Sequence, residues 1–275
     1  MLARAPQSGA DVLIHELEDL TPSVLRPAAR ALAVDLYAEW RGAGAMVAVR
    51  VNPLDQDGMD DLAAVMRGAP DIVALPKVAE PHHVTRLDEA VTRLERSYGI
   101  PEGSTALLPN IEFARGLVQT GIIAKASRRI TACLIASEDM AADLGAERGR
   151  DGVELAYCRQ RFLVECVAAD VVAVDCPYTF SDTDGLAREA RWARRLGYVA
   201  KSLVEPEHAR VINGILSPDD DGLSRAGRLV TAFETARAAG QARVELDGAL
   251  VELPAYHNAR RLLARGKAMQ AFGRS

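Results

Sequence analysis

The chain has 275 residues, 33 Lys+Arg against 38 Asp+Glu for a formal charge of −5, and 49% hydrophobic residues. That apolar content supports a sizeable core and excludes a disordered chain, and mild acidity without a long basic run gives nucleic acid no electrostatic footing. No apolar run approaches the ~18–20 residues that cross a bilayer, so no membrane partner is expected.

Residues 1–11, MLARAPQSGAD, lack the apolar centre of a secretory signal. Cys133, Cys158, Cys166 and Cys176 form no CxxC pair. They read as small buried residues of a reducing compartment, and a cytoplasmic location is expected.

Short continuous apolar runs then recur: DVLIHEL from Asp11, MVAVRV from Met46, DIVALPKV from Asp71, ALLPNIE from Ala106, TACLIAS from Thr131, DVVAVD from Asp170 and YVAKSLV from Tyr198. They are too short for helices and do not alternate, the pattern of parallel strands covered on both faces. Between them lie amphipathic segments, starting near Asp60 and running over Pro81–Tyr98, Glu112–Ala126, Gly152–Ala168 and Asp184–Leu196. This alternation predicts an α/β fold of βαβ units. About seven units are present where a TIM-type (β/α)8 barrel needs eight, so a barrel lacking its first strand is expected.

After Val204 the texture changes. A helix is expected from about Leu223 to Ala239, then a hairpin turning at Asp247-Gly248, then a helix from Ala255 to Leu263. The predicted organisation is a catalytic barrel over 1–215 and a small helix–hairpin–helix extension over 216–275, packing on the barrel or on a neighbouring subunit.

In parallel barrels reactive groups gather at the C-terminal ends of strands. Those ends carry His15-Glu16-Leu17-Glu18-Asp19, Arg50-Val51-Asn52, Lys77, Asn110-Ile111-Glu112, Ser137-Glu138-Asp139, Asp175 and Lys201. Acids and bases are expected to converge on one mouth. Two carboxylates from separate strand ends suit Mg2+, an ion that takes oxygen ligands and keeps several waters, and Glu112 with Asp139 is the chosen pair. Each acid has an alternative use as a helix cap. Arg50 has the fork for a substrate carboxylate or, equally, for a buried ion pair with Glu16, Glu18 or Asp19. A Schiff-base role for Lys77 needs a depressed pKa, against the many acids expected nearby.

The strings ELEDLTPSVLRPAAR from Glu16, VRVNPLD from Val49, ALPKV from Ala74, IEFARG from Ile111, SEDMAADLG from Ser137, DGL from Asp184 and VELDGALVELP from Val244 resemble the citrate lyase β-subunit family, within the Mg2+-dependent HpcH/HpaI aldolases and malyl-CoA lyases. Their order matches from about residue 9 to 265. The resemblance implies that Glu112 and Asp139 hold Mg2+, that Arg50 grips a substrate carboxylate, and that Glu18 and Asp19 sit near the metal and order its waters. Lys77 is then a substrate-binding candidate, with Asp247 or Glu252 as the acid supplied from a neighbouring subunit. It also implies a homotrimer or homohexamer.

The implied activity is cleavage of a 3-hydroxy acid or its CoA thioester, of the citryl, citramalyl or malyl type, to a 2-oxo acid and an acyl fragment. Departures from the family pattern keep two alternatives open, a thioester hydrolase on the same site and a catalytically degenerate paralogue. The family's opening strand, of the type R-S-x-L-F-V-P-G, has no counterpart before SGAD, and Glu205 stands where the family often carries His.

Overall fold

The apolar runs become strands because each is hydrophobic toward both sides. The computed structural model describes residues 2–241 and 243–272. Seven parallel strands, β1 (Val12–Glu16), β2 (Met46–Arg50), β3 (Ile72–Leu75), β4 (Ala106–Ile111), β5 (Ala132–Ile135), β6 (Val172–Asp175) and β7 (Ala200–Lys201), form one sheet in chain order. The sheet curls as a barrel wall does. Among the described residues no strand pairing joins β7 to β1, so the expected ring is a seven-stranded open one.

Outward residues such as Leu13, Val47, Val49, Val73, Leu107 and Cys133 share the main core with Tyr37, Trp40, Leu62, Leu87 and Phe162 of the surrounding helices. Inward residues Ala74, Leu108 and Leu134 make a separate small cluster inside the curl. This two-sided burial explains the absence of polar alternation. All four cysteines are buried and unbridged, with Cys133 on β5.

The helices are α1 (Arg26–Ala31), α2 (Ala33–Gly42), α3 (Gly58–Val65), α4 (Pro81–Tyr98), α5 (Ala114–Leu117), α6 (Thr120–Ile123), α7 (Glu138–Asp143), α8 (Ala156–Ala168), α9 (Thr183–Leu196) and α10 (His208–Leu216). The bounds of α4 match the sequence because its end signals are local: Pro81 opens it, and Gly99 closes it at φ 70°. The helix expected over 112–126 is instead two single turns. A Cβ on Gly116 would lie 2.3 Å from the Val78 carbonyl oxygen, so close packing sets the backbone there. The Thr120 hydroxyl donates back to Gly116 O at 3.2 Å and Leu117 O at 3.0 Å where the turns separate. Helix α10 was not anticipated; Ile212 and Leu216 bury it against Tyr178 and Leu186.

At the N-terminal ends of the strands, Glu95 of α4 is fully buried. It accepts from Gly103 N at 2.9 Å and Thr105 N at 3.0 Å, and from Arg129 Nη1 and Nη2 at 2.9 and 2.7 Å. Arg129 also donates to Asp88 at 2.7 Å. Glu95→Ala leaves the Arg129 charge buried and half-paired, so it is expected to cost about 3–5 kcal/mol, read as a lowered urea midpoint. A midpoint equal to the parent's would show the brace to be dispensable.

Residues 1–216 and 217–275 form two compact units. The second holds α11 (Asp220–Ala238), β8 (Val244–Leu246), β9 (Ala249–Val251) and α12 (Leu253–Ala271). Its hairpin turns on Asp247 at φ 51° and Gly248 at φ 74°, the two positive dihedrals of a tight two-residue turn. Helix α12 runs eight residues beyond the expected Leu263, and its Tyr256 stacks on Phe233 of α11 at 4.8 Å. Among the described residues no helix is long and apolar enough to cross a membrane.

Candidate active site

The parallel register places Glu16, the last residue of β1, beside Arg50, the last of β2. Arg50 Nε donates to Glu16 Oε2 at 2.6 Å, while Nη2 lies 3.5 Å from Glu18 and Nη1 3.9 Å from Glu112. Burial opposes the Arg50 charge, but the surrounding acids outweigh it and raise its pKa. Burial also lifts Glu16 and Glu18 above the usual carboxylate range, against the pull of Arg50 on both and of Lys77 on Glu18. Asp19 moves the other way: burial is overcome by its contact with Glu18 and by the charges of Lys77 and Arg50, which hold it low.

Lys77 follows β3 with a left-handed φ of 56°, a costly conformation for a side-chain-bearing residue and one that clusters at functional sites. Its Nζ bonds Glu18 Oε1 and lies 3.4 Å from Asp19 Oδ1. Burial pulls its pKa down, but these two acids more than reverse the effect. Lys77 is therefore a held ammonium, and a Schiff-base role finds no support. A cavity of about 220 Å³ opens beside it, lined also by Leu54, Pro76, His83 and Arg86.

Glu112 follows β4 and faces inward, two residues beyond Asn110 and four beyond Leu108. It is completely buried, and neither carboxyl oxygen has a hydrogen-bond partner. Burial pushes its pKa up to about 8; Arg50 and Lys77 oppose this, while Asp139 and Glu18 add to it. Asp139, half-buried in the first turn of α7, is thus close enough to act on Glu112 electrostatically. Two contacts place α7: Asp143 Oδ2 accepts from Ala114 N at 2.7 Å, and Glu138 accepts from Thr179 Oγ1 at 2.6 Å. Among the described residues no three His, Cys, Asp or Glu side chains converge into a metal cage.

Arg50, Glu18, Asp19, Lys77, Glu112 and Asp139 are therefore brought together, and both alternatives for Arg50 are realised in part, since it is ion-paired at the mouth itself. Glu16 joins them through Arg50, whereas two other strand-end residues do not. Asp175 and Lys201 sit in a closed buried set. Arg159 donates to Asp175 at 2.8 and 2.6 Å, and Lys201 Nζ donates to Asp175 at 2.8 Å, Cys176 O at 2.5 Å and Glu189 at 2.6 Å.

His15 points outward to the Tyr37 hydroxyl at 3.0 Å, and burial lowers its pKa to about 4. The side chain of Glu205 is exposed. Asp247 and Glu252 lie in the second unit, 3.3 Å from Arg228 and 3.3 Å from Arg243 respectively. Asp61, an acid at a helix start that sequence reasoning did not single out, accepts from the main-chain N and Nδ2 of the strand-end Asn52 at 2.8 Å.

The chain is similar to several known proteins. Citrate lyase subunit beta of Haemophilus influenzae is 32% identical over 264 residues, covering 94% of this chain and 89% of its own. The (3S)-malyl-CoA thioesterase of Cereibacter sphaeroides is 31% identical over 276 residues, covering 100% and 93%. The solved citrate lyase beta subunit of M. tuberculosis, complexed with oxaloacetate and magnesium, superposes with a TM-score of 0.65 at 27% identity, covering 79% of this chain and 92% of that one. The HpcH/HpaI aldolase/citrate lyase family matches residues 1–206, a span that holds all seven strands and every residue gathered at the mouth, and the chain belongs to that family.

Proposed function

We propose that this protein is a Mg2+-dependent carbon–carbon lyase that cleaves a 3-hydroxy acid or its CoA thioester to a 2-oxo acid and an acyl fragment. The observation that carries the reading is Glu112: a buried carboxyl with no hydrogen bond to either oxygen, beside a second acid, its guanidinium neighbour Arg50 no nearer than 3.9 Å. A buried carboxylate without hydrogen bonds is costly, and a cation bound directly to its oxygens would remove that cost. One or two protein carboxylates, with water and substrate oxygens, are the usual ligand set of Mg2+. The M. tuberculosis relative, whose structure holds magnesium with oxaloacetate, supports the same assignment.

In this reading Glu112 and Asp139 hold the ion, which would supply Lewis-acid stabilisation of the oxygen charge that develops at the 2-oxo carbon. Arg50 receives the substrate carboxylate, and its pairing with Glu16 keeps the fork aimed. Glu18 and Asp19 order the water beside the ion, and Lys77 holds both. Cleavage takes a proton from the 3-hydroxyl group, breaks the bond between carbons 2 and 3, and returns a proton to carbon 2, the α-carbon of the acyl fragment's enolate. Asp247 or Glu252 is the proposed acid for the acyl side, in a cytoplasmic homotrimer or homohexamer. The full-length likeness to a malyl-CoA thioesterase supports a second reading, hydrolysis of the thioester on the same site.

The test is an assay with and without Mg2+ on citryl-, citramalyl- and malyl-CoA, detecting 2-oxo acid and free thiol separately. Metal-dependent release of 2-oxo acid is the expected result. Free thiol alone would replace the lyase with the hydrolase, and no turnover would refute both on these substrates. Arg50→Lys is expected to raise KM about tenfold or more, because an ammonium cannot fork onto a carboxylate.

A further inference from the structure

The carboxylates that hold Arg50 are themselves held from outside the sheet. Asp61 of α3 is fully buried. Its Oδ1 accepts from Arg30 Nε at 2.6 Å, and its Oδ2 accepts from both the main-chain N and Nδ2 of Asn52, each at 2.8 Å. Asn52 Nδ2 carries a second hydrogen, and it goes to the Leu17 carbonyl oxygen at 2.8 Å. Leu17 lies between Glu16 and Glu18, and its own N–H donates to Arg50 O at 3.0 Å. The loop after β2 is drawn in tightly here: a Cβ on Gly58 would lie 2.2 Å from Asn52 O.

A free amide can present its oxygen or its nitrogen to a neighbour. A carboxylate that accepts from both nitrogens of Asn52 permits one orientation only, with the remaining hydrogen directed at Leu17 O. We propose that Asn52, oriented by Asp61, is a positioning residue for Arg50: it sets the Glu16–Glu18 turn, and so aims the guanidinium at the substrate carboxylate. This rests on the reading of Arg50 as the carboxylate clamp.

The test uses the full chain, with Arg side chains labelled for NMR, in two variants: Asn52→Ala and the near-isosteric Asn52→Leu. Asn52→Ala is expected to fold, to shift the Arg50 Nε–H resonance as the Glu16 pair loosens, and to weaken pyruvate binding with Mg2+ about tenfold. Leu fills the volume of Asn without any donor, and the main-chain N–H of residue 52 keeps its bond to Asp61. Asn52→Leu is expected to melt nearer the parent than Asn52→Ala, while the Arg50 resonance and the pyruvate affinity stay displaced. Should Asn52→Ala fail to fold, Asn52→Leu carries the same readouts.

An unshifted Arg50 signal in folded Asn52→Ala or in folded Asn52→Leu would overturn the proposal. A parent protein that binds no pyruvate with Mg2+ refutes the lyase reading instead, and the Arg50 resonance alone then decides the positioning claim.

Discussion

Glu112→Gln is expected to lower kcat/KM about 1,000-fold, or roughly 4 kcal/mol of transition-state stabilisation, with the fold intact. The amide has nearly the shape of the carboxyl but no charge with which to hold a cation. Stability should change little, because Glu112 has no hydrogen bond to lose and Arg50, 3.9 Å away, keeps Glu16 and Glu18 as nearer partners. Most inactivating core substitutions destabilise, so loss of activity with an unchanged or raised melting temperature is a distinctive outcome. Asp139→Asn should act in the same direction. Mg2+ titration by calorimetry checks the cause: the variants should bind the ion far more weakly than the parent. A variant within tenfold of parental kcat/KM, or with parental Mg2+ affinity, would remove Glu112 from the metal site.

The second large effect belongs to stability. Asp175→Ala leaves Arg159 and Lys201 buried with Glu189 as the remaining acid of the set. Losing one partner from a buried charged set costs about 3–5 kcal/mol, which for a unit of this size lowers the melting temperature by roughly 10 °C. The pH dependence follows from the same contacts. Burial alone would raise the Asp175 pKa, but Lys201 and Arg159 overcome it and hold the carboxyl below the usual range. A depressed carboxyl stabilises the fold at all pH values above its unfolded pKa of about 3.9, and that stability is lost as pH falls through the lower folded value. Parent stability should therefore decline below about pH 4 through this group, whereas Asp175→Ala is weakened at neutral pH already. Thermal melts of both proteins at neutral and acid pH check this; equal neutral melting temperatures would refute it.

Much of the site was legible because its residues are announced by local pattern. A continuous apolar run ending in a charged residue reads as a buried parallel strand with its reactive end at the rim, and Arg50, Glu112 and Asp139 were found that way. The resemblance to a family added roles to residues that spacing had already set apart. The strand ends were less informative about partners. Asp175 and Lys201 carry the same signal as Glu112, yet they are saturated by Arg159 and Glu189, whose positions in α8 and α9 carry no such mark in the sequence.

By itself, then, the sequence determined the seven strands, their order, the helix ends marked by Pro81 and Gly99, and the rim on which the acids and Arg50 stand, because each depends on residues near one another in the chain. Only the tertiary structure decided which charges are committed and which are open. Asn52 reaches back to Leu17, Arg50 reaches Glu16, and Lys77 reaches Glu18 across the curl of the sheet. Glu112 alone among these acids is left fully buried with no hydrogen bond to either oxygen. Burial and pairing are properties of the closed packing, since they depend on what the curl brings against each side chain. The tertiary packing also broke the helix after Glu112, where Gly116 must pass close to Val78.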